Sequence, residues 1–252
     1  WQGEIRDKAG KATLEPTKAN LITKINAGRL SIWIPPRPKN QYLVSGDVAS
    51  GIEIASDMEA DETGCYSVWD VYDMVSFEQV AQWRGLVAPD EFGEIGVLVG
   101  MLYNEAILAP EVNNHGLTTC TTIRDLDYRN LYERDEAKGG TTMGFYTMPG
   151  VTGTRARLIN SLRALLRDLA MKINSPATFS ELRSFVKKEG GKMGPQPSCF
   201  SDCVITAGIA ALLLEERSAI PEKKVEGGRQ RLSIMNRGSG GGVRYPSKGG
   251  YS

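Results

Sequence analysis

The alternation of apolar and polar positions changes period several times along the chain. Leu30-Ser31-Ile32-Trp33-Ile34 is a short apolar run that predicts a strand. Tyr42-Leu43-Val44-Ser45-Gly46-Asp47 is a second, and it ends in an acid. Tyr66-Ser67-Val68-Trp69-Asp70-Val71-Tyr72 and Phe77-Glu78-Gln79-Val80-Ala81-Gln82-Trp83 are rich in β-branched and aromatic residues. The few residues between them suit an antiparallel hairpin, so the spacing predicts a three-strand meander after residue 41. The period then becomes helical. Pro89 stands as a first helical residue with Asp90 and Glu91 in the first turn, and Phe92, Ile95, Leu98, Val99 and Leu102 follow on one stripe. Ala106-Ile107-Leu108-Ala109-Pro110-Glu111-Val112 reads as a buried strand that again ends near an acid.

The second half is mostly helical. Leu158, Leu162, Leu165, Leu166 and Leu169 predict a helix from about Gly153 to Leu169. A short helix around 180–186 leads into Lys187-Lys188-Glu189-Gly190-Gly191-Lys192, which reads as a hairpin tip. A last helix starts near Ser201 and carries Val204, Ile205, Ala207, Ala210, Ala211 and Leu214. From Gly227 the chain is Gly, Ser and Arg with little to bury, and disorder is expected there. The order of elements is three strands, helix, strand, helix, then further helices: an α/β fold with no visible repeat.

Composition narrows the function classes. At 252 residues, 41% hydrophobic and 24% charged, the chain is long enough to bury a core and has an ordinary globular make-up. It has no apolar run long enough for a membrane span and no signal-peptide pattern, so no membrane association is expected. The chain starts at Trp1 rather than Met, which suggests the back half of a longer protein. Cys65, Cys120, Cys199 and Cys203 lack the second ligand pair that a zinc site needs, and they read as free thiols in a reducing cytoplasm. The single histidine, His115, excludes any mechanism that needs two, and it reads as a loop residue. Charge is balanced overall at 30 basic and 30 acidic residues. It is unevenly placed, because residues 222–252 hold seven Lys/Arg and two Asp/Glu. An acidic body with a basic tail is not a generic DNA-coating protein, and a cluster of acids that binds metal fits such a body.

Three acids stand out by position. Asp47 ends one strand before the small-residue turn Val48-Ala49-Ser50-Gly51. Glu111 ends another before Asn113-Asn114-His115-Gly116, and Asp202 opens the last helix. Parallel pairing of the two strands would set Asp47 beside Glu111, and a helix across that edge would bring Asp202 to them. Carboxylates without a basic partner repel unless a cation lies between them. Hard oxygen donors suit Mg2+ or Mn2+, and two such ions activate water and stabilise a leaving oxygen in phosphodiester hydrolysis. Taken singly, each acid has an ordinary explanation that outweighs the functional one: Asp47 as a turn residue before Gly51, Glu111 as a solvated strand end, Asp202 as a carboxylate complementing a helix dipole.

The stretch Tyr42–Leu214 resembles the nuclease domain of tailed-phage large terminases. Residues Tyr42–Gly51 are similar to the family's first acidic strand, and Pro110–Gly116 to its second. Gly144-Phe145-Tyr146-Thr147 followed by Thr154-Arg155 and a leucine helix resembles its middle segment. Glu181–Val186 and Ser201–Ala210 resemble its closing block. The blocks come in family order and span about two thirds of the chain. Three positions depart from the pattern: Ser201 stands where an acid is common, Cys65 where an acid often precedes the second strand, and Arg155 where Lys is usual.

The resemblance implies an RNase H-like mixed central sheet flanked by helices. It also implies a metal-dependent DNA endonuclease of a viral packaging terminase, with Asp47, Glu111 and Asp202 as catalytic ligands of two Mg2+ or Mn2+ ions. Double-stranded DNA, the portal protein and the small terminase subunit are the implied partners, and the host cell cytoplasm the implied place. Lys187, Lys188 and Lys192 are expected to contact DNA phosphates, with Arg155 and Arg157 as further candidates. The expected organisation is a linker from an upstream ATPase domain (1–40), the nuclease domain (41–221) and a basic, Gly-rich, disordered tail (222–252). No G-x-x-x-x-G-K-[ST] motif occurs, so ATP hydrolysis is not expected of this chain. Another RNase H-like nuclease of resolvase type, or a catalytically idle DNA-binding or capsid-docking module, are the competing readings.

Overall fold

The computed structural model describes residues 2–5, 22–24, 29–49, 66–113, 115–135, 139–147, 153–188, 191 and 193–218, with only the backbone of 2–5, 22–24 and 218. The chain divides into a unit Trp1–Pro221 and a unit Glu222–Ser252. The second, with its expected disorder, lies outside the described residues, as do Lys192, Ser50, Gly51, Cys65 and Asn114.

Seven strands form the main sheet: β1 (Gln2–Ile5), β2 (Ile22–Lys24), β3 (Leu30–Ile32), β4 (Tyr42–Asp47), β5 (Ser67–Asp73), β6 (Gln79–Gly85) and β7 (Ile107–Pro110). Their spatial order is β2-β1-β3-β6-β5-β4-β7. Every pairing is antiparallel except β4 with β7, which is parallel. Segment 1–40, expected to be a linker with one short strand, thus supplies three strands of this sheet. The meander β4-β5-β6 and the strand β7 stand where the apolar runs place them.

Helix α1 (Pro89–Leu102) follows the meander and joins β6 to β7. Pro89 takes its first position, and Phe92, Ile95, Leu98 and Val99 are buried. It covers the sheet face that carries Val44, Trp69, Val71, Ala81 and Trp83. The sequence pattern does not announce helix α2 (Gly116–Asp125), which comes next. Its inward face is Thr119, Cys120 and Ile123, small or polar residues whose spacing carries little apolar signal. Strands β8 (Glu133–Asp135) and β9 (Thr141–Met143) form a separate hairpin.

Helix α3 (Thr154–Arg167) holds the leucine stripe. Helix α4 (Pro176–Ser184) begins earlier than expected, because Ser175 caps Thr178 N and Pro176 takes the first helical position. Strands β10 (Phe185–Lys187) and β11 (Met193–Pro195) make the expected hairpin, and α5 (Asp202–Ser218) closes the described chain. Among the described residues no helix is long and apolar enough to cross a membrane.

The face of the sheet under α4 and α5 contains a buried polar network. Asp70 Oδ1 accepts from Gln79 Nε2 and Gln82 Nε2, both at 2.8 Å. Gln79 Oε1 in turn accepts from Asn174 N and Ser175 N, and Gln82 Oε1 from Ser175 Oγ. The network anchors the start of α4 on β6. Burial pushes the Asp70 carboxyl up to about 7, against the two glutamine bonds, and Glu181 pushes the same way. The folded state therefore holds this proton more tightly than the unfolded chain. That stability is full below the ordinary aspartate range near pH 4 and is lost as pH rises through about 7. At roughly 1.4 kcal/mol per pKa step, the full effect is on the order of 4 kcal/mol. Asp70→Asn keeps an oxygen for both glutamines and removes the charge. Chemical denaturation at pH 5 and pH 8 should show the wild type losing clearly more stability across that interval than the variant, whose remaining loss comes from the other raised acids, Asp47 and Asp202. Equal losses would mean that Asp70 is ionised in both states.

Candidate metal centre

Parallel pairing of β4 with β7 does the first part of the assembly. Gly46 lies opposite Pro110, and Glu111 N donates to Gly46 O at 2.7 Å. The two strand ends therefore release Asp47 and Glu111 at the same sheet edge. Gly46 is required here because a Cβ would collide with the Trp69 ring. Gly116 is required because a Cβ there would collide with the Glu111 carbonyl oxygen, so the chain can turn tightly back after the acid.

The Asp47 and Glu111 carboxyls lie side by side at this edge, two acids that each oppose the other's charge. Asp47 is held well above the ordinary carboxylate range, first by burial, then by Glu111 and, more weakly, by Asp202. Arg155, early in α3, acts in the opposite direction. Asn113 fixes the Glu111 carboxylate: its Nδ2 donates to Glu111 Oε1 at 2.9 Å and to Thr147 O at 3.0 Å. Asn113 Oδ1 is buried and has no hydrogen-bond partner among the described residues.

Asp202 arrives from the other side, as the first residue of α5, a helix that lies against β4 and β5. It is 7% exposed, and its Oδ2 accepts from Tyr66 N at 3.0 Å. Its carboxyl is pushed up to about 6 by burial first and Glu181 second, with the Tyr66 bond and Arg84 opposing. The three acids therefore share one region but do not close on a single point. Among the described residues, no three His, Cys, Asp or Glu side chains stand close enough to hold one ion. Glu111 acts on Asp47 more strongly than Asp202 does.

The donor chemistry nonetheless fits a hard divalent cation. It consists of oxygens alone, from two acids side by side at the β4–β7 edge and a third nearby, and the ionisation of Asp47 is opposed by both neighbours. A bound cation would relieve that opposition. His115 is exposed and stands just before α2.

The expected DNA-contact residues fall in two places. Lys187 and Lys188 are exposed at the β10–β11 hairpin between α4 and α5. Arg155 is half-buried on the side of α3 that faces Asp47 electrostatically. Arg157 is exposed and paired with Glu216 at 2.8 Å, so it is already engaged. Sequence reasoning gave no role to Arg84, Tyr66 or Glu181, which surround Asp202. Glu181 Oε2 accepts from Cys203 N and Val204 N, and the Arg84 guanidinium lies 3.5 Å over the Tyr66 ring. The helix spacing placed Glu181 in a short helix, but no local motif marks a residue that acts on a helix twenty positions away.

No protein-family model and no curated protein matches the chain by sequence. Solved structures do match in fold. The large terminase nuclease from thermophilic phage G20c, with cobalt bound, aligns over 74% of this chain and 88% of its own, at 17% identity and TM-score 0.53. The same nuclease with magnesium bound aligns over the same shares at 16% identity and TM-score 0.52. At this identity the likeness shows the fold: an RNase H-like mixed sheet flanked by helices, shared with terminase nuclease domains.

Proposed function

We propose that this chain is a divalent-metal-dependent DNA endonuclease of a viral genome-packaging terminase. The observation that carries this reading is the parallel β4–β7 pair, which sets Asp47 and Glu111 side by side at one sheet edge, with a third acid, Asp202, close enough to act on Asp47. The terminase nuclease fold, and the cobalt and magnesium bound in the G20c structures, support it. Asp47, Glu111 and Asp202 would hold the metal, Mg2+ or Mn2+, as two ions. Bound there, the metal supplies charge stabilisation and an activated water for phosphodiester hydrolysis. Asp47, whose charge its neighbours oppose, would be favoured in its ionised form by a bound cation. Asn113 keeps one Glu111 oxygen directed and leaves the other available. Arg155 offers a positive charge beside the acids, where a backbone phosphate must come. The nuclease domain expected over 41–221 would take in the three strands from segment 1–40 as well, acting on double-stranded DNA in the host cytoplasm with portal and small-subunit partners.

The direct test is nicking of supercoiled plasmid with Mg2+ or Mn2+. Cleavage that disappears with EDTA supports the reading. DNA binding without cleavage under both metals would leave an idle binding module.

DNA grip is tested separately. Lys187, Lys188 and Lys192 would neutralise phosphates without reading bases. Replacing all three by Ala should weaken binding about equally for unrelated sequences and make the salt dependence shallower. Each lost phosphate contact removes about 0.9 from the log–log slope on duplex DNA. An unchanged slope in a titration over salt would make the hairpin an ordinary solvated turn and turn attention to Arg155.

A further inference from the structure

We infer that Glu181 is a positioning residue for Asp202: from α4 it clamps the first turn of α5 and so fixes where the Asp202 carboxylate is presented. The inference rests on the reading of Asp202 as a metal ligand. A helix starts with backbone N–H groups that have no partner inside it, and a side chain just before the helix ordinarily takes them. Here Glu181, from a different helix, accepts from Cys203 N at 2.8 Å and Val204 N at 3.2 Å. Both donors directly follow Asp202. The clamp is buried, with Glu181 6% exposed. Burying a carboxylate is costly unless it is paired and hydrogen-bonded, so a solvent-facing cap would be the cheaper way merely to start a helix.

The second oxygen of Glu181 faces Arg84 at 4.0 Å. Arg84 lies over the Tyr66 ring, and Tyr66 N bonds Asp202 Oδ2. Tyr66 also meets Phe200 edge-on at 5.5 Å. Asp202 is thus held twice, through its backbone by Glu181 and through its carboxylate by Tyr66, and Arg84 joins the two arms. Thr206 Oγ1, donating to Asp202 O at 2.7 Å, secures the same turn from within. Loss of the Glu181 arm lets the first turn fray and carries Asp202 away from the Asp47 side.

The experiment is calorimetric titration of Mn2+ into the wild type and variants whose far-UV circular dichroism matches it. Glu181→Ala should weaken Mn2+ binding about tenfold, the range of supporting residues around metal ligands. Glu181→Gln keeps an oxygen at the same reach and should restore most of the affinity. Glu181→Asp keeps the charge but shortens the arm, and should behave like Ala. The double variant Glu181→Ala/Asp202→Asn should bind no more weakly than Asp202→Asn alone, because Glu181 acts through Asp202. Rescue by Asp and not by Gln, additive losses in the double variant, or unchanged affinity in Glu181→Ala would each overturn the inference. If the wild type binds no Mn2+, or Asp202→Asn binds it as well as the wild type, the metal reading is what fails. The clamp is then read from amide exchange at Cys203 and Val204 in metal-free protein: faster exchange in Glu181→Ala and not in Glu181→Gln supports it, and equal exchange in all three proteins overturns it.

Discussion

Asp47→Asn should lower metal-dependent DNA cleavage on the order of a hundredfold or more while leaving the protein at least as stable in EDTA. The two halves have one cause. Asp47 sits where burial, Glu111 and Asp202 all oppose its charge, and only Arg155 favours it. As a metal ligand it is indispensable to the proposed chemistry, where a divalent ion contributes several kcal/mol of transition-state stabilisation and each 1.36 kcal/mol is about tenfold in rate. As a residue of the metal-free fold it is a burden. The folded-state pKa is raised, so its contribution to stability is present at low pH and lost as pH rises. The gain from Asp47→Asn should therefore appear at neutral pH and vanish at low pH, where the wild-type carboxyl is already neutral. Thermal melts in EDTA at two pH values, beside a plasmid assay with Mn2+, measure both halves. A variant that cuts DNA as fast as the wild type would remove Asp47 from the site. One that is inactive but much less stable would point to a structural role.

The second large effect lies behind the site, in the packing that fixes β4. Trp69, fully buried on β5, stacks on Phe92 of α1 with ring centroids 4.4 Å apart, and its Nε1 donates to Phe92 O at 3.0 Å. The ring lies against Gly46 of β4 and Gly96 of α1, positions where a Cβ would run into it. Trp69→Ala should cost roughly 3–5 kcal/mol, the range for emptying a large aromatic site in a core. The melting temperature should fall by roughly 10 °C or more, at 2–4 °C per kcal/mol for a domain of this size. Trp69→Phe, which keeps a ring but loses the N–H, should cost clearly less. Because Gly46 immediately precedes Asp47, cleavage should also fall in any Trp69→Ala protein that remains folded. Equal melting temperatures for wild type and Trp69→Ala would show that the ring does not hold β4 to α1.

How much of this was legible in the sequence depends on how far each signal reaches along the chain. Strands β4 and β7 and helices α1, α3 and α5 carry strong apolar periodicity, and Asp47, Glu111 and Asp202 lie at their ends, so element and acid could be read together. The placement of Asp47 beside Glu111 then needed only parallel pairing, which the connection through α1 makes natural. Helix α2 was missed because Thr119 and Cys120 supply its buried face. Strands β8 and β9 are three residues each and at least partly exposed, too short for alternation to register. Ser175-Pro176 did mark the start of α4, a local signal that the later apolar residues obscured. The surroundings of Asp202 were illegible for a different reason. Arg84, Tyr66 and Glu181 come from β6, the start of β5 and α4, and each is an ordinary residue until the fold brings them together. The distance of Asp202 from the Asp47–Glu111 edge was likewise beyond the sequence, since it depends on how α5 docks against β4 and β5.

The central claim is that these three acids form one divalent-metal site, and anomalous diffraction from crystals soaked in Mn2+ tests it most directly. The account predicts a manganese peak bonded to Asp47 and Glu111, with the Asp202 carboxylate turned from Tyr66 N toward the ion or a second peak beside it. Strong peaks elsewhere with none at the β4–β7 edge, or Asp47 and Glu111 with no ion beside them at saturating Mn2+, would contradict it.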